Sequence, residues 1–344
     1  MSFEYERVAT PASGLRLHLN ENTAGCSPAV IDAIRALTRE QIAEYPDYEA
    51  VNDAAAARLN VSTDSLLLAN GLDEGILVAS MVALRATGGD AEGIVVVPAF
   101  DMYAACTDAL GGRVIQVPLG REFEFPVERV LGAVTERTRI VWLTNPNNPT
   151  GQSIPREAIA RIAAAASNHA LVFVDEAYAD FAGNTLIGDA LLRQHPKVIV
   201  GRTFAKAYGL AGIRAGAVIG GPETIQMLRR VAPPYGLNVC AAAALPAAFR
   251  DRAYYDWYVA QVVESREMLY AALERLGVRY WASDANFVLA RFEGGSSTIA
   301  SALAARGVHV RDRSNDPGCE NCLRITAGVV EHTRQFLAAL EAVL

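Results

Sequence analysis

A series of short apolar runs, each closed by a glycine, a proline or a polar side chain, constrains this chain more than any other feature. The runs fall at 66–69, 94–97, 114–117, 139–144, 170–174, 198–200 and 217–219, with segments of helical character between them. A strand that is apolar at every position has both faces covered. Such strands, alternating with helices, build a mostly parallel sheet between two helical layers. The expected fold class is therefore α/β, with a three-layer α/β/α large domain. The pattern changes after Pro233-Pro234. One long helical stretch over 239–276 leads into a smaller α+β region, with strands near 286–292, 308–311 and 323–326. A closing helix carries Phe336, Leu337, Leu340 and Val343 on one face. The opening is irregular, with an alternating stretch at 15–19 that suits a short strand. Ser27 then caps a helix whose first turn holds Pro28, and a second helix spans 47–59. The expected organisation is an N-terminal arm over 1–28 packed with the small domain, a large domain over 29–235, and a small C-terminal domain over 236–344.

The totals narrow the classes. A chain of 344 residues exceeds one average domain, and 51% hydrophobic with 20% charged residues is the balance of a globular protein with a large core. Net charge is 31 − 38 = −7, which argues against a nucleic-acid surface. The opening MSFEYERVAT is no export leader, and no apolar run reaches the about 18 residues of a membrane span, so the cytoplasm is the expected location. Cys26, Cys106, Cys240, Cys319 and Cys322 are spaced irregularly and form no disulfide framework. Cys319 and Cys322 make a lone CxxC without two further ligands at matching spacing, so no metal is expected.

In open α/β sheets, ligands sit outside the carboxyl ends of the strands. The run 66–69 leads to Gly71-Leu72-Asp73-Glu74, a helix start whose free N–H groups and dipole suit a phosphate. The run 139–144 leads to the turn NPNNPTG, displaying Asn148; the run 170–174 leads to Asp175 and Tyr178; the run 198–200 leads to Thr203, Lys206 and, further on, Arg214. A lysine held between core strands is poorly solvated. Its ammonium form is disfavoured, and its amine can condense with an aldehyde as a Schiff base. Singly, each of these has an ordinary reading: an aspartate capping a helix, a proline-rich turn, a solvated loop lysine. Together they offer an aldehyde trap, a phosphate cup, a carboxylate and a phenol, a set that fits pyridoxal 5′-phosphate. No GxGxxG follows a strand, which disfavours a nicotinamide dehydrogenase.

The stretches NPNNPTG (145–151), VDEAY (174–178) and RTFAKAYGLAGIR (202–214) resemble the fold-type-I, pyridoxal-phosphate-dependent aminotransferases. LNEN (19–22), YPD (45–47), GLDE (71–74), VRDRS (310–314) and LRITAG (323–328) resemble blocks of the histidinol-phosphate aminotransferase group, so the resemblance spans nearly the whole chain. It implies that Lys206 carries the cofactor and that Asp175 pairs with the pyridine nitrogen, keeping it protonated so that the ring withdraws electrons. It implies that Asn148 and Tyr178 bond the phenolic oxygen, and that Tyr103, in PAFDMY, stacks on the ring. The turn at Gly71, the amides of Leu72 and Asp73, Thr203 and Arg214 would hold the phosphate. Tyr45 is similar to a tyrosine that the family donates from the neighbouring subunit, which implies a homodimer. Arg324 matches the arginine for the substrate carboxylate or the group replacing it, and Arg311 the arginine for the substrate phosphate, with Asn20 bordering the same pocket. Arg313 reads as a solvated side chain.

The implied reaction is a ping-pong amino transfer between 2-oxoglutarate/glutamate and histidinol phosphate or an aromatic or related amino acid, in amino-acid biosynthesis. A decarboxylase, eliminase or cyclase on the same scaffold remains the alternative. Two departures stand out. Ala205 replaces the serine or threonine usual two positions before the lysine, removing a hydroxyl bond worth roughly 1.5–3 kcal/mol to a charged phosphate. The stretch ATPASGLRLH also lacks the tyrosine that precedes LNEN in histidinol-phosphate enzymes, and the nearest is Tyr5.

Overall fold

The computed structural model describes residues 3, 8, 10–85 and 90–344; Tyr5 lies outside the described residues. Its strands run in chain order as β1 (Leu15–Leu17), β2 (Leu66–Ala69), β3 (Glu92–Val97), β4 (Arg113–Pro118), β5 (Thr138–Thr144), β6 (Leu171–Asp175), β7 (Val198–Thr203), β8 (Gly216–Gly220), β9 (Arg279–Trp281), β10 (Phe287–Arg291), β11 (Val308–Asp312) and β12 (Cys322–Thr326). Seven of them form one sheet in the order β2-β8-β7-β6-β5-β3-β4. β7, β6, β5, β3 and β4 are parallel, and β8 runs antiparallel to both its neighbours.

Both faces of this sheet are buried, as all-apolar strands demand. Along β5, Ile140 and Trp142 join a core with Leu72, Ile76, Tyr103 and Phe173, while Val141 and Leu143 join another with Ile159, Ile162 and Val174. Alternate residues thus serve opposite layers, the period of a strand. The register sets Thr144 beside Asp175, and Asp175 beside Gly201. Three loops are thereby brought to one carboxyl edge.

The remaining strands form a second sheet, β1-β11-β12-β10-β9, in which β1 is parallel to β11 and the other pairs are antiparallel. One expectation needs correction, and one strand lies outside the expected set. The stretch 239–276 is not one helix but two, Val239–Arg250 and Arg252–Arg275. Asp251 separates them because its side chain caps the second, accepting from the Tyr254 N–H at 3.1 Å and from the Ser27 hydroxyl. The strand β9 has no apolar run of its own. Its three residues, Arg-Tyr-Trp, become a strand by pairing with β10.

Candidate active site

A cavity of about 290 Å³ opens at the carboxyl edge of the large sheet, walled on its far side by arginines of the small one. Lys206 lies in it, after β7. Its Nζ donates to the Leu19 carbonyl oxygen at 3.0 Å. Burial, and then the nearby Arg324, lower its pKa to about 8. Below that pH the ammonium dominates; above it the nucleophilic amine does. The rate at which Lys206 captures an aldehyde is therefore expected to rise with a midpoint near pH 8. Stopped-flow reconstitution across pH measures this, and a midpoint above 10 would refute it. The chain has only two lysines. The other, Lys197, precedes β7 at its amino end and donates to the Asn168 carbonyl oxygen at 2.6 Å.

Asp175 closes β6 and is buried. Its Oδ2 accepts from the Tyr103 hydroxyl at 2.6 Å and its Oδ1 from the Ala177 N–H at 2.9 Å. Burial raises its pKa to about 6 against the pull of those two bonds, so it is a carboxylate at neutral pH. Tyr103 does not offer a ring face as expected. It is 1% exposed, stacked on Trp142 at 5.1 Å, with its hydroxyl spent on Asp175. That geometry makes it a buttress for the carboxylate. The partly exposed aromatic at the cavity wall is Phe100, which the sequence reading missed. PAFDMY holds two aromatics three residues apart, and spacing alone does not say which faces the opening.

At the other end of the cavity, Gly71 (φ +79°) turns the chain into the helix Leu72–Leu84. Arg214 leans against this turn: its Nη2 lies 2.8 Å from Asp73 Oδ2, and a Cβ added at Gly71 would come within 2.4 Å of that nitrogen. At this φ any L side chain is strained, and its Cβ would have to displace the Arg214 guanidinium. First-turn N–H groups, a guanidinium and the Thr203 hydroxyl line a cup beside this turn, a donor set suited to a phosphate. Thr203 Oγ1 also accepts from the Ala205 N–H at 3.2 Å, and Ala205 lines the cavity without a polar group.

On the small-sheet side, the Tyr178 hydroxyl accepts from Asn20 Nδ2 at 3.0 Å. Asn20 is buried at φ +55° and is also tied to Thr326 and Asn286. Arg324 is buried, and its partners are neutral: Asn148 Oδ1 at 2.5 Å and the His18 carbonyl oxygen at 2.7 Å. Burial lowers its pKa to about 10, which leaves it cationic at neutral pH. A buried cation with neutral partners is a place for an anion. Arg311 faces Arg324 across the β11–β12 pair and lines the same cavity. Arg313, expected to be solvated, is buried there with Asp316 Oδ2 2.5 Å from its Nη2.

The expected set thus converges, apart from Gly71, which shapes the cup from behind, and Tyr45. Tyr45 is 75% exposed, outside the cavity, and stacked on Tyr235 at 4.0 Å. Cys319 and Cys322 are free and buried. Among the described residues, no cluster of His, Cys, Asp and Glu could hold a metal, and no helix is long and apolar enough to cross a membrane.

The family model for aminotransferase class I and II matches residues 12–340. The chain is 37% identical to the histidinol-phosphate aminotransferase of Dinoroseobacter shibae, over 98% of this chain and 94% of that one. It is 33% identical to that of Moorella thermoacetica, over 99% and 88%. The crystal structure of the Sinorhizobium meliloti histidinol-phosphate aminotransferase in complex with pyridoxal-5′-phosphate matches with a TM-score of 0.83 at 28% identity, covering 96% of this chain and 90% of that one.

Proposed function

We propose that this chain, which belongs to the aminotransferase class I and II family, uses pyridoxal phosphate to move an amino group between glutamate/2-oxoglutarate and histidinol phosphate or an aromatic amino acid. The observation that carries the reading is a buried lysine of lowered basicity in one cavity with a buried carboxylate and a buried arginine whose partners are neutral. Lys206 would hold the cofactor aldehyde. Asp175, braced by Tyr103, would meet the ring nitrogen, and Asn148 and Tyr178 the phenolic oxygen. The amides of Leu72 and Asp73 at the Gly71 turn, with Thr203 and Arg214, would take the phosphate. Ala205 adds no hydroxyl there, so the grip rests on the Arg214 guanidinium, the Thr203 hydroxyl and the helix N-terminus. When bound, the cofactor supplies an electron sink for charge developing at the substrate Cα.

The chain's own residues do the rest. Lys206 Nζ takes the proton from the substrate Cα and later releases it. Arg324 orients the substrate by its carboxylate, or by the group that replaces it, and Arg311 adds a second cation toward a phosphate. Each substrate leaves as product before the next enters, a ping-pong order. Exposed Tyr45 is suited to reach the phosphate of a second subunit in a homodimer. The named relatives favour histidinol phosphate among the amino donors.

The test is a half-reaction screen. Holoenzyme is mixed with histidinol phosphate, histidine, phenylalanine and glutamate, and conversion of the cofactor to its amine form is followed. Glutamate and histidinol phosphate, or an aromatic amino acid, are expected to convert it. Release of CO₂ without that conversion would identify a decarboxylase instead.

A further inference from the structure

Cys319 and Cys322 flank two exposed residues, Glu320 and Asn321, in the turn that leads into β12. The Cys322 N–H donates to the Cys319 carbonyl oxygen at 2.9 Å, which closes a four-residue turn. Such a turn holds its end Cα atoms within about 7 Å, the span that a disulfide bridges. Both cysteines are free and fully buried, and their thiols lie within hydrogen-bonding reach of each other. The same turn carries Asp316, the partner of Arg313 at the cavity wall: Cys319 N–H donates to the Asp316 carbonyl oxygen at 3.0 Å, and Arg313 N–H to that of Cys322 at 2.9 Å.

Two thiols packed as small apolar groups need no charge beside them. Here one is present. Arg291 stands directly opposite Cys322 in the β10–β12 pair, which puts the two side chains on one face of the sheet as neighbours. Its Nη2 donates to the Gly318 carbonyl oxygen at 2.7 Å, which holds the guanidinium over the turn, and its Nε is buried without an acceptor. The two sulfurs are consequently unlike. The bond from Cys319 and the Arg291 guanidinium lower the pKa of Cys322 against the effect of burial, while the bond to Cys322 and burial raise that of Cys319. One sulfur that ionises readily beside one that keeps its proton is the arrangement of an attacking and a resolving thiol. The cover over them is a turn whose residues Pro317, Gly318, Glu320 and Asn321 are exposed, so a local opening admits a reagent without unfolding the sheet.

We propose that Cys319 and Cys322 form a redox-active dithiol, oxidised reversibly by a low-molecular-weight disulfide, with Cys322 as the attacking sulfur and Arg291 as the cation beside it. The Cys322 thiolate attacks one sulfur of the external disulfide, forming a mixed disulfide and releasing one thiolate. Cys319 then gives up its proton and displaces the second thiolate, leaving a Cys319–Cys322 disulfide. The pair loses two electrons and two protons, and the external disulfide gains both as two thiols. The test needs neither substrate nor turnover. The intact protein is incubated at pH 7 with graded ratios of oxidised to reduced glutathione, quenched in acid, alkylated and digested with trypsin, which releases both cysteines on one peptide, 314–324. As the ratio rises, that peptide is expected to lose two hydrogens and escape alkylation, and to recover when reduced glutathione is restored. In Cys319→Ser, glutathione should remain on Cys322, whereas Cys322→Ser should leave Cys319 unmodified. Arg291→Gln should slow the oxidation severalfold, and Arg291→Lys, which keeps the charge, should retain most of the rate. Two alkylated cysteines at the highest ratio, glutathione on Cys319 in Cys322→Ser, or equal rates in Arg291→Gln and Arg291→Lys would overturn the proposal.

Discussion

Replacing Lys206 with alanine is expected to lower kcat by more than about 10⁴-fold while the fold survives. A positioned acid–base group alone contributes about 10²–10⁴, and this side chain would also supply the covalent attachment, so the two losses compound. Stability should change little. The amine donates to the Leu19 carbonyl oxygen, which borders a cavity large enough for water to replace it. Burial makes the ammonium costly to keep, so its removal gives up little stabilisation. Melting temperature controls for folding, and a small primary amine added to the variant should restore part of the proton-transfer rate. Wild-type turnover in Lys206→Ala would contradict the assignment.

Arg324→Lys is expected to reduce kcat/KM about 10²- to 10³-fold for both glutamate and the second amino donor. The guanidinium reaches Asn148 and the His18 carbonyl from two nitrogens while retaining a fixed direction toward the cavity. An ammonium is a point charge and cannot keep both contacts and a bidentate grip. Losing one or two charge-assisted bonds accounts for the range. Burial adds to the loss. It already brings the guanidinium down to about 10, and a lysine starts two units lower among the same arginines, so part of it would be neutral at pH 7. Parallel losses for both donors would show one shared anion site. An unchanged kcat/KM would make Arg324 a structural arginine.

Much of this site is legible before any coordinates, and the reason is the sheet. All-apolar strands announce a parallel, doubly covered layer, and that layer places whatever follows Thr144, Asp175 and Thr203 at one edge. Lys206, Asn148 and Asp175 are found because their positions depend on strand ends alone. What depends on side-chain packing is not legible. That Tyr103 does not take its expected stacking place is one such case, because it is Trp142, on strand β5, that covers a face of the Tyr103 ring. Arg313 is buried because a loop folds Asp316 back onto it, and no periodicity records that turn. The break at Asp251 depends on a contact with Ser27, far earlier in the chain. The neutral partners of Arg324, Asn148 and His18, come from separate loops, so its unmet charge is visible only in three dimensions.

With only Lys197 and Lys206 available, the covalent site can be read without ambiguity. The holoenzyme is reduced with borohydride, digested, and its peptides are searched by mass for the pyridoxyl phosphate adduct. The adduct is expected at Lys206 alone. Finding it at Lys197, or on neither lysine, would contradict the assignment of this cavity as a pyridoxal phosphate site.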